Sequence, residues 1–228
     1  MHPKLRLVSL VFLVAATPAF GAYTVTDDFS SYGAHLNTGD GPASGHYQWN
    51  VVHSVPGFSH ELGINGGRLK LAGYSHPTHP GTIAGVATAT YAPGTQPKVE
   101  GFTIEFDFHE YHDLIKLDIQ IEGSESHTIQ LIDFPITYPA TGHLAITFGA
   151  TSLTETITGH APRVIPYSSI GSGSITGSDI VDSFTFTGVH RNNGQDVAEI
   201  SNLVVSVPEP GSLALSGLGG WLLLRRRR

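Results

Sequence analysis

The stretch Gly101–His109 alternates without a break: Phe102, Ile104, Phe106 and Phe108 fall on one face, and Thr103, Glu105, Asp107 and His109 on the other. That period of two is the signature of a half-buried strand. Ile115–Glu122 repeats it, with Ile115, Leu117, Ile119 and Ile121 facing inward. Asn65-Gly66-Gly67 precedes Arg68–Leu71, the composition of a hairpin turn that enters a strand. Further strands are expected at Gln48–His53, Ile83–Tyr91, Thr128–Asp133, Leu144–Ala150, Ser183–Val189 and Ile200–Val207. Turns are expected at Pro56-Gly57, Pro80-Gly81, Pro93-Gly94, Gly123-Ser124, Thr141-Gly142, Gly171 to Gly177 and Asn193-Gly194, and the poorly hydrophobic Ser168–Asp182 reads as a long loop. No stretch between the two ends sustains helical periodicity over three turns. Alternating strands without helical layers predict an all-β fold, a two-sheet antiparallel β-sandwich of jelly-roll type.

The two ends follow other patterns. Residues 1–21 read as a signal peptide: Lys4 and Arg6 give a basic start, Leu7–Ala16 is apolar except for Ser9, and Ala19-Phe20-Gly21 places small residues before a cut after Gly21. Residues 207–228 carry Pro208, Glu209 and Pro210, then an apolar run Leu213–Leu224, then Arg225, Arg226, Arg227 and Arg228. Twelve residues of helix span about 18 Å, short of a bilayer core of about 30 Å, so this reads as a short C-terminal membrane helix with its arginines on the cytoplasmic side. The tripartite order resembles the PEP-CTERM sorting signal of bacterial exported proteins. The resemblance implies a transient inner-membrane anchor, recognition by an exosortase-type processing enzyme that cuts near the motif, and delivery to the cell surface or extracellular matrix. The domain plan is then 1–21 signal peptide, 22–206 β-sandwich and 207–228 sorting tail.

Composition narrows the chemistry. Cys is absent, which excludes disulfides, thiolate zinc sites, a cysteine nucleophile and a lipid-linked Cys. Without its two ends the chain drops from 12 to 6 Lys and Arg but only from 19 to 18 Asp and Glu, so residues 22–207 carry a net charge of −12. Such a body repels nucleic acid and anionic lipid, and suits cations or neutral glycans. Gly-rich phosphate loops, dinucleotide fingerprints and a Gly-x-Ser-x-Gly elbow do not occur.

The order of features also resembles a concanavalin A-like (laminin-G-like) jelly roll: Asp27-Asp28-Phe29, then Trp49, then Gly66–Leu71, a Phe-rich central strand, and a closing strand at Asp196–Val205. That resemblance implies a calcium site built from both ends of the domain, at Asp27, Asp28, Asp196 and Glu199; calcium takes six to eight oxygens, which acidic groups supply. Alternatively, Asp27 and Asp28 cap a turn and Asp196 completes another at Asn193-Gly194-Gln195-Asp196. Glu105, Asp107 and Glu110 form Glu-x-Asp-x-x-Glu, which resembles the catalytic strand of laminarinase- and lichenase-type glycoside hydrolases of family sixteen. It implies a nucleophile, a supporting carboxylate and an acid/base in that order. Retention needs the two carboxyls about 5–5.5 Å apart, which demands a bulge near Phe108-His109 to bring Glu110 to the face of Glu105. Histidines are densest at His76 and His79 and at His109 and His112. The last two lie three apart on a strand and point to opposite faces.

These patterns predict an exported, non-enzymatic sandwich at the cell surface or in the matrix, binding extracellular polysaccharide or serving a structural role, with no nucleic-acid partner. A secreted family-sixteen-like glucan hydrolase and a calcium-stabilised adhesive module are the alternatives.

Overall fold

Residues 22–53, 62–72, 83–111, 114–123, 125–131, 140–170, 174–189 and 197–207 are described by the structure, a computed structural model. The expected signal peptide, the sorting residues Pro208 to Arg228, Asp196, and the histidines His76, His79 and His112 lie outside the described residues.

Strands follow wherever apolar residues alternate. They are β1 (Tyr23–Asp27), β2 (Tyr47–His53), β3 (Gly63–Asn65), β4 (Arg68–Ala72), β5 (Ile83–Tyr91), β6 (Thr103–Tyr111) and β7 (Leu114–Glu122). They continue with β8 (Ser126–Leu131), β9 (Ala140–Phe148), β10 (Ser152–Ile157), β11 (Arg163–Pro166), β12 (Ile180–Val189) and β13 (Val197–Val207). Pairing is antiparallel throughout and builds two sheets. One has eight strands in the order β11-β10-β9-β6-β13-β4-β3, with β1 also paired to β13; the other has five in the order β2-β5-β12-β7-β8. The chain is a two-sheet antiparallel sandwich, as its periodicity predicts. Among the described residues no helix is long and apolar enough to cross a membrane.

The hairpin read from Asn65-Gly66-Gly67 is present. Asn65 faces Arg68 across a two-residue turn in which Gly66 (φ 59°) and Gly67 (φ 76°) both take the left-handed backbone that such a turn requires. Thr141-Gly142, expected as a turn, instead lies within β9. There Gly142 is directly opposite Phe108, and a Cβ on it would sit 3.0 Å from Phe108 Cζ. This glycine serves a close approach rather than a turn. The expected loop at Ser168–Asp182 contains a short 3₁₀ turn at Tyr167–Ile170 and the start of β12.

The inner faces of the sheets meet in one core. Phe102, just before β6, and Ile104 and Phe106 within it are fully buried, while Phe108 is half-buried at the core's margin. Phe106 of the large sheet meets Phe186 of the small sheet edge-on, with ring centroids 5.0 Å apart, a preferred arrangement for aromatic pairs. Trp49, Tyr47 and Phe184 extend this aromatic packing.

The central strand β13 carries a β-bulge that its sequence conceals. Against β6, Ser201 pairs with Asp107 but Val204 pairs with Glu105, so two residues of β13 oppose Phe106. Asn202 takes φ 51° there, a backbone that Asn tolerates better than most residues. The extra residue resets the alternation. Ile200 and, after the bulge, Leu203, Val205 and Val207 all face the core, whereas strict alternation puts Ile200 on the opposite face from the other three.

Candidate functional site

The outer face of the large sheet presents the polar half of each alternating strand. From β6 come Glu105, Asp107 and His109; from β9, Thr141 and His143; from β13, Glu199 and Ser201; and from β4, Arg68. Backbone register aligns them in rows. His143, Asp107, Ser201 and Arg68 run straight across four strands, and Thr141, His109 and Glu199 form a parallel row beside them. Because of the bulge, Asn202 joins Ser201 on this face. A groove of about 740 Å³ runs over the rows, closed at one end by Asp28, Ser30 and the Gly66-Gly67 turn and at the other by Gly142 and Thr158.

Hydrogen bonds knit the groove floor. His143 Nδ1 lies 2.9 Å from Asp107 Oδ1, and its Nε2 lies 3.6 Å from Glu105 Oε2. Asn202 Nδ2 donates to the other Asp107 oxygen at 2.7 Å. Partial burial pushes the Asp107 carboxyl up, but the hydrogen bonds from Asn202 and His143 and the charge of His143 outweigh it, and its pKa falls below the usual carboxylate value. Glu199 Oε2 sits 3.4 Å from Arg68 Nη1 and 3.7 Å from His109 Nδ1. The floor thus offers carboxylate oxygens, imidazoles, an amide, hydroxyls and one guanidinium.

The three residues of the glycosidase-like spacing are not brought together. β6 pairs with β9 in continuous register from Thr103 to Glu110, so the bulge that the motif needs is absent from β6; the extra residue belongs to β13. Glu105 and Asp107 share the outer face of β6, and Asp107 lines the groove, whereas Glu110 stays on the opposite, core-facing side with 1% exposure. There its Oε1 accepts the N–H of Ile115 at 2.8 Å, tying β6 of one sheet to β7 of the other. Five residues of extended strand span about 16 Å, far beyond the about 5–5.5 Å of a retaining pair.

Of the calcium quartet, Asp196 lies outside the described residues, Asp28 and Glu199 both line the groove, and Asp27 is turned to the opposite face. Asp27 points into the core at 3% exposure. Its Oδ1 accepts Phe29 N–H at 3.1 Å, and its Oδ2 accepts Tyr32 O–H at 2.7 Å, Trp49 Nε1–H at 3.1 Å and Tyr47 O–H at 3.4 Å. Glu199 faces the groove on the other side of the sheet. Asp28 is exposed and accepts both the N–H and the hydroxyl of Ser30, at 3.0 and 2.8 Å, and these bonds lower its pKa. Among the described residues no group of three His, Asp or Glu side chains is placed to hold a metal ion. Sequence reasoning missed His143, Asn202 and Ser201 as groove residues. Only the register shift at the bulge brings Asn202 to Asp107, and spacing along the chain carries no signal for His143.

A family profile for the PEP-CTERM protein-sorting motif matches residues 206–228. The motif marks an exported protein directed to the cell envelope or surface, and it implies membrane passage and processing by an exosortase. No curated protein sequence matches the chain. Among solved structures, it is similar to a pseudo β-1,3-glucanase and immunostimulatory antigen of Mycobacterium tuberculosis. That match has 10% identity and a TM-score of 0.49, and it covers 81% of this chain and 98% of the other. It is also similar to the winged bean acidic lectin, at 9% identity and a TM-score of 0.47 over 82% and 98% of the two chains. A glycosyl hydrolase family protein of Mycobacterium fortuitum matches at 10% identity and a TM-score of 0.46 over 79% and 97%.

Proposed function

We propose that this exported protein is a non-enzymatic glycan-binding component of the cell surface or extracellular matrix, and that the groove on the large sheet is where the glycan sits. The observation that carries this reading is the row His143-Asp107-Ser201-Arg68, with Asn202 beside it, under an open groove. A sugar presents hydroxyls that both donate and accept, and this floor has carboxylates and hydroxyls to accept, with amide, imidazole and guanidinium groups to donate. The acidic surroundings disfavour an anionic polymer, so the ligand is a neutral one. Catalysis is disfavoured by geometry, because the acid/base candidate Glu110 points away from the groove.

A glycan array probed with the exported protein, with and without calcium, tests this. A neutral glycan should bind, and Asp107→Ala should weaken it at least tenfold, the scale of one lost charge-assisted hydrogen bond. Ser183→Ala on the small sheet should leave binding unchanged. Release of reducing sugar from laminarin or lichenan that vanishes in Glu105→Gln would overturn the non-enzymatic reading.

A further inference from the structure

Beyond Glu105, on the side away from the groove, the outer face of the large sheet changes character. Register aligns Thr24, Ser206, Thr103, Thr147 and Thr154 straight across β1, β13, β6, β9 and β10. Thr24 and Ser206 hydroxyls lie 3.3 Å apart, and Thr103 donates to Thr147 at 3.4 Å. On β11 the row ends at Val164, which is opposite Thr154 and 62% exposed. With strands about 4.8 Å apart, the row from β1 to β11 is about 24 Å long. Between this row and the groove floor, Val204 and Ala145 flank Glu105. Thr is common on exposed strands, and cross-strand hydroxyl pairs stabilise a sheet. Neither needs an unbroken run across neighbouring strands, and this run is free of charge on a body with a net charge of −12.

We propose that this hydroxyl row is a second track for neutral polysaccharide, continuous with the groove, so that one face of the sandwich takes two segments of polymer at once. The inference rests on the reading of the groove as a glycan site. A Thr or Ser hydroxyl both donates and accepts, as a sugar hydroxyl does, and a strip without charge offers nothing to an ionic partner. Val204, Ala145, Val164 and the Thr methyls give apolar contact to the C–H faces of sugar rings. Thr103 stands four strand residues from Asp107, about 13 Å away. A short oligosaccharide held along the groove floor therefore does not reach the row. A polymer that engages both gains through effective concentration, without a stronger contact at either. The ligand class is then a polymer whose neutral chains run side by side or fold back, not a free oligosaccharide.

The test uses the exported protein with insoluble cellulose, curdlan and starch as polymer probes and cellotriose, laminaritriose and maltotriose as the matching short ones. Thr103→Val with Thr147→Val removes two hydroxyls and keeps strand propensity, and matching thermal melts check the fold. At least one polymer should retain the parent, more tightly than its trisaccharide is bound. The double variant should lose about tenfold in affinity for that polymer, the scale of two neutral hydrogen bonds, with trisaccharide affinity unchanged. Thr147→Glu, which places a charge in the row, should act in the same direction, and Asp107→Ala should weaken both probes. Unchanged polymer affinity in the double variant, or a parent that binds a trisaccharide but no polymer, would overturn the inference and leave the groove reading intact. A parent that binds neither kind of probe removes the groove reading, and the inference with it. Sedimentation supplies the remaining outcome: a dimer of the parent that Thr147→Glu dissociates would mean that a second copy covers the row, and would also overturn the inference.

Discussion

Asp27 shows how much one residue can organise. It belongs to β1 of the large sheet, and its carboxylate collects donors from the following loop and from Tyr47 and Trp49 of β2 in the small sheet. The bond to Phe29 N–H helps to hold that buried residue at φ 58°, where a bulky side chain is strained. Asp27→Ala leaves several buried donors unpaired, each worth about 1–3 kcal/mol. We expect a loss of roughly 3–5 kcal/mol, or about 6–20 °C in Tm for a chain of this size, read by thermal unfolding; a shift under 2 °C would show that the network contributes little. The tyrosines give a second handle. Burial raises the pKa of Tyr32, Tyr47, Tyr91 and Tyr167, and pushes Tyr23 up to about 12. Each stays neutral in the fold at a pH where the unfolded chain ionises, near 10. Their contribution is therefore full below about pH 10 and is lost as pH rises through the folded values. Denaturant midpoints should fall from about pH 10 to 12; a flat profile over that range would contradict the burial of these hydroxyls.

At the scale of elements, β6 and β13 show what the chain spells out and what it hides. β6 was legible because its alternation is uninterrupted and its inward residues are nearly all aromatic or aliphatic. The two-glycine hairpin was legible because few other residues accept two successive left-handed positions. β10 escaped notice because Glu155 occupies a core-facing position and breaks the apolar pattern; its carboxylate is held by Arg163 of β11 at 2.7 and 2.8 Å. The groove was half legible. Glu105, Asp107 and His109 fall on one face by periodicity, but the neighbours that make them a site arrive through strand order and through one extra residue in β13. That residue can be tested. Asn202→Gly keeps the left-handed backbone available and should stay within about 1 kcal/mol of the parent, whereas Asn202→Val should lose about 2 kcal/mol or more. The Gly variant removes a donor from Asp107, so that carboxyl should titrate closer to the ordinary value near 4. In the parent, the depressed pKa stabilises the fold above about pH 4, and this is lost as pH falls through the lower folded value; in the variant the loss comes at higher pH. NMR titration of the Asp107 carboxyl carbon, with urea unfolding of both variants, reads both effects. An unmoved Asp107 would refute the Asn202 contact.

On the scale of the whole molecule, the first and last strands complete one sheet from opposite ends of the domain. Among the described residues β1 pairs with β13 alone, and β13 in turn separates β6 from β4. The large sheet therefore stays open until the last residues before the sorting tail are in place, and the tail itself supplies none of the described core. Two truncations of a chain beginning at Ala22 test this division. Ending at Val207 removes the tail alone, and Tm should match that of a chain with the tail within about 2 °C. Ending at Asn202 removes Leu203, Val205 and Val207, each worth about 1.5–3 kcal/mol of burial. It also strands β1, with Val25 and the Asp27 network, without a neighbour. Against a total stability of about 5–15 kcal/mol for a domain, that loss should abolish cooperative unfolding. Circular dichroism melts of the two proteins decide the matter. A sharp transition in the shorter one would mean that β1 and the end of β13 decorate the sandwich instead of closing it.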